Sequence, residues 1–179
     1  MGEINRLKKI VITGPESTGK TELSEALAKK LHGKWIPEYA RGYVEKLGRP
    51  YNFEDLEIIA RYQIQQEYDA SAITDGGILI FDTWLIIMKV WFEVVYGKSP
   101  VWMEEYIVKA NIDIFLVCSP DLPWVADQVR ENGGEMRNRL FERYCREIEK
   151  YGFKYEIVEG FGEDRLNNAL LHLRSNQIG

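Results

Sequence analysis

The sequence predicts an α/β fold, a parallel five-stranded sheet flanked by helices on both faces, forming a single domain over residues 1–179. Three observations predict it. The β-branched run Lys8-Lys-Ile-Val-Ile-Thr13 leads directly into Gly14-Pro-Glu-Ser-Thr-Gly19-Lys20-Thr21, a glycine-rich loop of the G-x4-GKT type. Four further apolar runs alternate with segments of helical spacing, and strands that alternate with helices build parallel sheets covered on both faces. Runs end on polar or turn-forming pairs, Pro37-Glu38, Asp82-Thr83 and Ser119-Pro120, which are the strand ends beyond which such folds bind ligands.

Each element follows in order. Lys8 to Thr13 reads as a buried strand. Leu23, Ala26, Leu27 and Leu31 recur at helical spacing after the loop, and Gly33 closes that helix. Lys34-Trp-Ile-Pro-Glu-Tyr39 reads as a short second strand. Leu56, Ile59, Ala60, Gln63 and Ile64 predict a helix from Phe53 to about Ala72, broken by Gly76-Gly77. Ile78 to Phe81 is the third strand, and helices follow over Leu85 to Tyr96 and Trp102 to Lys109. Asp113 to Cys118 is the fourth strand. A polar stretch with Gly133-Gly134 precedes a helix at about Leu140 to Tyr151. Lys154 to Val158 is the fifth strand, and Glu163 to about Arg174 the last helix.

Composition narrows the class. At 179 residues, 45% hydrophobic and 28% charged, the chain matches a soluble globular protein that needs no staples. A formal charge of −5 and a pI near 5.2 argue against nucleic acid as the main partner. Cys118 and Cys145 form no CxxC pair or zinc spacing, so reduced thiols and a cytoplasmic location are expected. The most apolar stretch, Ile78 to Gly97, is interrupted by Asp82, Lys89 and Glu93, and each such charge costs about 3 kcal/mol in a membrane. No membrane span is expected there, and the N-terminus carries no signal-peptide pattern.

The phosphate loop is the strongest chemical signal. Gly14 and Gly19 let the chain turn so that the main chain from Glu16 through Ser17 and Thr18 faces a nucleotide's phosphates, and the following helix points its positive end at them. Lys20 reaches the β- and γ-phosphates and the Thr21 hydroxyl suits Mg²⁺. Asp82 sits where a second carboxylate helps hold Mg²⁺, or caps the next helix. Glu38 ends the second strand, placed to take a proton from an acceptor hydroxyl, to bind a ribose, or to pair with Arg41. The segment of about 120–140 reads as a lid. Its Arg130, Arg137 and Arg139 either stabilise transferring phosphoryl charge or pair with neighbouring carboxylates in solvent. Trp84 and Trp124 stand apart from the other aromatics as candidates to stack on a flat acceptor ring.

These residues resemble a known family. "GPESTGKTELSEALA", "PEYARGYVE", "IARYQIQQE", "IFDT" and "DLPWVADQVR" are similar to the ribosylnicotinamide kinase domain of the NadR regulators and to related kinases of the AAA_28 type. The resemblance covers nearly the whole chain. It implies the nucleoside-kinase-like P-loop fold and transfer of the ATP γ-phosphate to nicotinamide riboside, in NAD biosynthesis, with Mg²⁺. It places Lys20, Thr21 and Asp82 at the nucleotide and metal, and Glu38, Tyr39, Arg41, Trp124 and Asp127 around the acceptor. One departure stands out: the family's Asp-Thr-Asp is Asp82-Thr83-Trp84 here. The chain shows no (H/T)xGH motif and no helix-turn-helix ahead of Lys8, so only the kinase part of NadR is expected. A kinase for another nucleoside or nucleotide, and a catalytically weak ATP-binding regulator, remain open. No Asn/Thr-Lys-x-Asp guanine signature and no Asp-Glu after an apolar strand is present, which disfavours a GTPase or a mechanical ATPase.

Overall fold

In the computed structural model, residues 6–74, 76–126 and 130–178 are described. The strands β1 (Lys8–Thr13), β2 (Lys34–Ile36), β3 (Ile78–Asp82), β4 (Ile114–Cys118) and β5 (Tyr155–Val158) form one sheet in the order β2-β3-β1-β4-β5. Every pairing is parallel, so all carboxyl ends open on one edge. β1 lies between β3 and β4, with the chain running outward to both sides. That is the crevice where doubly wound sheets bind ligands.

The inner strands β1, β3 and β4 are buried on both faces over most of their length, and the sheet's side chains divide by alternation. Ile10, Ile12, Ile80, Leu116 and Val158 pack with Leu23 and Leu27 of α1 (Lys20–Lys30) and with Ala169, Leu170 and Leu173 of α7 (Gly162–Ser175). Val11, Leu79, Phe81, Phe115 and Val117 face the other way. They pack under α2 (Tyr39–Lys46), α3 (Phe53–Ala72), α4 (Leu85–Tyr96), α5 (Val101–Lys109) and α6 (Glu135–Lys150). No helix among the described residues is long and apolar enough to cross a membrane.

Two helices depart from the sequence expectation. α2 begins where a strand end was expected. Its periodicity is short and Gly42 sits at its centre, so its register comes from packing of Ala40, Tyr43 and Val44 against the core. α6 begins at Glu135 rather than Leu140, because its first turn is polar apart from Met136 and carries no apolar stripe. By contrast, α3 keeps its expected bounds: Asn52 accepts from the Asp55 amide and Asp55 accepts from the Asn52 amide, a reciprocal capping box. Cys118 and Cys145 are free thiols, and burial pushes Cys118 up to about 11.

Candidate functional site

The loop between β1 and α1 is held open by backbone conformation. Gly14 has φ +137°, and a Cβ there would meet the Cys118 carbonyl oxygen at 2.7 Å. Only glycine lets the loop leave β1 so close to the end of β4. Ser17 and Gly19 also take positive φ, 55° and 71°. Inside the loop the Thr18 hydroxyl donates to the Pro15 carbonyl at 2.9 Å, and Lys20 Nζ donates to the same oxygen at 2.8 Å.

Parallel neighbours bring the carboxylates to this loop. β3 pairs with β1 so that Ile12 stands opposite Asp82, and the Thr21 hydroxyl donates to Asp82 Oδ2 at 2.6 Å. Asp82 is 2% exposed, and its Oδ1 has no hydrogen-bond partner among the described residues. Desolvation raises its pKa, with the Thr21 hydrogen bond and Lys20 opposing. Thr83, directly after it, has φ +68° and donates its amide to the Ile12 carbonyl at 2.9 Å. A β-branched residue in the left-handed region is strained, and the strain sits beside the candidate metal carboxylate. Glu38 precedes α2 at the end of β2 and lines the same cleft. The enclosing walls raise its pKa by desolvation, Lys20 pulls it back and Asp82 adds to the rise.

Described residues on either side of 127–129, between β4 and α6, close over the loop. Glu16 accepts from the amides of Glu131 and Asn132 at 3.1 and 2.9 Å, from Asn132 Nδ2 at 3.3 Å and from Trp124 Nε1 at 3.5 Å. The Ser17 hydroxyl donates to the Val125 carbonyl at 3.2 Å and accepts from the Val125 amide at 3.1 Å. Two phosphate-loop side chains that line the cleft therefore also latch onto the segment. Arg137, 6% exposed, donates from Nη2 to the Ser17 carbonyl at 2.9 Å. Desolvation lowers its pKa, with Asp121 and Glu16 opposing. Arg130 lines the cleft and donates to the Val125 carbonyl at 2.6 Å. Arg139 turns to solvent and pairs with Glu135 at 3.0 Å.

The phosphate loop, Glu38, Thr83 and Arg130 line one cleft of about 1060 Å³, more than a single drug-sized ligand fills, while Asp82 and Arg137 lie behind its lining. Glu38, Arg41, Tyr51, Ile87, Trp91 and Tyr144 line it together with the phosphate loop. Tyr51 is hydrogen-bonded on both sides: Trp91 Nε1 donates to its hydroxyl at 3.1 Å, and the hydroxyl donates to Glu131 Oε2 at 3.2 Å. None of Tyr51, Trp91, Glu131 or Tyr144 stands out in sequence as a site residue. Their signal is tertiary, because each comes from a different element or loop.

Several expectations about the acceptor end need correction. Trp84 is 1% exposed, lies edge-on to Phe115 and Phe153 and donates Nε1 to Glu67 Oε2 at 2.8 Å. It belongs to the core and cannot stack on a ligand. Tyr39 stacks on Tyr62 at 3.8 Å and lines a smaller hollow beside Gly42, not the main cleft. Trp124 packs on Gly133 and reaches Glu16, so it braces the β4–α6 segment. Arg41 does line the cleft, and also approaches Glu45 at 3.7 Å. Asp127 lies outside the described residues.

A family profile, AAA_28, described as AAA domain, matches residues 9–165. The chain belongs to the AAA_28 family. This AAA_28 chain is 24% identical over 148 residues to the trifunctional NAD biosynthesis/regulator protein NadR of Salmonella typhimurium, covering 80% of this chain and 36% of that one. Its backbone superposes on a crystal structure of NadR in complex with NR with a TM-score of 0.80 at 22% identity, over 94% of this chain and 51% of that chain. It also superposes on deoxyadenosine kinase from M. mycoides with bound dATP, at TM-score 0.60 and 18% identity, over 93% of this chain and 99% of that one. The chain thus spans little more than a third of its curated relative and about half of the solved NadR chain. The likeness to NadR expected from the motifs, and the nucleoside-kinase-like P-loop fold, are borne out.

Proposed function

We propose that this chain is an ATP-dependent phosphotransferase that moves the γ-phosphoryl group of ATP to the 5′-hydroxyl of nicotinamide riboside, giving ADP and nicotinamide mononucleotide. One observation carries the reading: Lys20 and Thr21 of the phosphate loop share a single cleft with Glu38, and the Thr21 hydroxyl is bonded to Asp82. The phosphates sit in the loop's main-chain cradle over the N-terminus of α1. Lys20 leaves the Pro15 carbonyl to offset the charge on the β- and γ-phosphates. Glu38 faces the acceptor hydroxyl and takes its proton as the hydroxyl oxygen bonds to the γ-phosphorus and the bond to ADP breaks. A carboxyl raised by desolvation is a better proton acceptor than an ordinary one. Arg137 and Arg130, fixed on the Ser17 and Val125 carbonyls, add positive charge beside the loop.

The residues also fit Mg²⁺. A hydroxyl and a carboxylate are hard oxygen donors, and Asp82 Oδ1 is buried without a partner among the described residues. Thr21 and Asp82 would hold the ion with the nucleotide's own oxygens, and Mg²⁺ when bound neutralises phosphate charge. No group of three or more His, Cys, Asp or Glu among the described residues forms a protein-only metal cage.

Also on the cleft, the aromatic pair Tyr51 and Trp91 with the Glu131 carboxylate beside it suits a flat cationic ring, which aromatic faces attract. A second reading, a different nucleoside or a nucleotide as acceptor, is favoured by Arg41 and Arg49 on the same cleft, cations that would welcome a phosphate. ADP release measured against nicotinamide riboside, deoxynucleosides and nucleoside monophosphates separates the two. The first reading requires nicotinamide riboside to give the highest kcat/KM; a monophosphate in that place would replace it with the second.

A further inference from the structure

The cleft contains a buried hydroxyl that the proposed reaction leaves unused. Tyr144 lies on α6, whose buried positions Arg137, Leu140, Tyr144 and Glu147 fall three and four residues apart on one face. That face is anchored at both ends. Arg137 is bonded to the phosphate loop, and Glu147 approaches the buried Lys89 of α4 at 3.0 Å. Tyr144 stands between these anchors and cannot swing away. It is 7% exposed and lines the cleft. Buried phenols normally find a hydrogen-bond partner, yet this hydroxyl has none among the described residues. The cleft that the residue lines is where a partner for that oxygen can come from. Glu16 and Glu38 line the same cleft.

We infer that Tyr144 is an acceptor-contacting residue whose hydroxyl donates a hydrogen bond to a sugar oxygen of the nucleoside, next to the hydroxyl that Glu38 faces. The chemistry selects the sugar over the nucleotide's phosphates. Glu16 and Glu38 line the same cleft as the phenol and disfavour an anion there, and a sugar hydroxyl or ring oxygen can accept without charge. Burial, and after it those same carboxylates, hold the phenol above its ordinary pKa, so it stays a donor throughout the working pH range. A phenylalanine would fill the same space against Leu140, so the hydroxyl needs a reason beyond packing.

The inference rests on the kinase reading, and Tyr144→Phe tests it, because only the oxygen is removed. In steady-state kinetics with nicotinamide riboside and Mg-ATP varied in turn, the acceptor KM should rise roughly three- to tenfold, the scale of one neutral hydrogen bond. The ATP KM should hold, and the melting temperature should stay at or above that of the wild type. An unchanged acceptor KM, or equal rises in both KM values, would overturn the assignment while leaving the kinase reading intact. Wild-type protein that transfers phosphate to no nucleoside would instead sink the kinase reading. Calorimetric titration of nicotinamide riboside then decides Tyr144: tighter binding to wild type than to Y144F supports the contact, and equal binding or none refutes it.

Discussion

Asp82→Asn separates what Asp82 does for the fold from what it does for the reaction. Asparagine keeps an oxygen that accepts from the Thr21 hydroxyl, now 2.6 Å away, so the geometry of β3 and the loop survives. Only the charge is lost. Asp82 is buried with one oxygen unpartnered and its pKa raised by desolvation. A folded-state pKa above the unfolded value means that the ionised side chain disfavours the folded state. Stability contributed at acid pH is therefore lost as pH rises through the carboxylate range, and the amide variant escapes that loss. At pH 7 D82N should melt at or above the wild-type temperature, with the difference vanishing below about pH 4, where the wild-type carboxyl is protonated in both states. Turnover should move the other way. Removing one preorganised electrostatic group costs about 10²–10³ in kcat, or about 2.7–4 kcal/mol. Differential scanning calorimetry and an ADP-coupled assay on the same preparations read both quantities. A variant that melts well below wild type, or keeps turnover within threefold or so of it, refutes the reasoning.

Other side chains give separate tests. Glu38→Gln should lower kcat/KM by roughly 10²–10⁴, the worth of a general base. Because desolvation raises the Glu38 pKa, the acid limb of the wild-type profile should lie above the ordinary carboxylate value of 4.5; a limb at or below it contradicts the assignment. Glu16→Ala removes the acceptor for the Glu131 and Asn132 amides, so hydrogen exchange at those two amides should speed up, and unchanged exchange would dismiss the latch. Trp84→Phe removes the donor to Glu67, a carboxylate 3% exposed, at a cost of about 1.5–3 kcal/mol for a hydrogen bond to a charged group. The variant should melt several degrees lower with its acceptor KM unchanged. A shifted KM at constant melting temperature would return Trp84 to the site.

The legible parts of the fold were those whose signal is local. α3 carries Leu56, Ile59, Ala60 and Gln63 at helical spacing behind an Asn52–Asp55 capping box, and its limits follow from the sequence alone. α2 carries a central glycine and no cap bond, so its eight residues depend on contacts made far along the chain. Convergence of Glu38 and Asp82 on the loop follows from topology, because β3 lies between β2 and β1 and the parallel ends align. Trp84 misled because a residue just past a strand end can face either way. Its neighbour Thr83 takes positive φ, and Trp84 itself is buried under Phe115 and Phe153. The Glu16 latch was hidden for another reason: two of its partners are main-chain amides more than a hundred positions away, and an amide leaves no mark in a sequence.

The central claim is that the phosphoryl group passes to a small acceptor rather than to water. Incubation with nicotinamide riboside, Mg²⁺ and ATP labelled with ¹⁸O in the γ-phosphoryl group, read by mass spectrometry, tests it most directly. Labelled nicotinamide mononucleotide formed one-for-one with ADP is the expected result. Label appearing only in inorganic phosphate, or remaining in ATP, would contradict it.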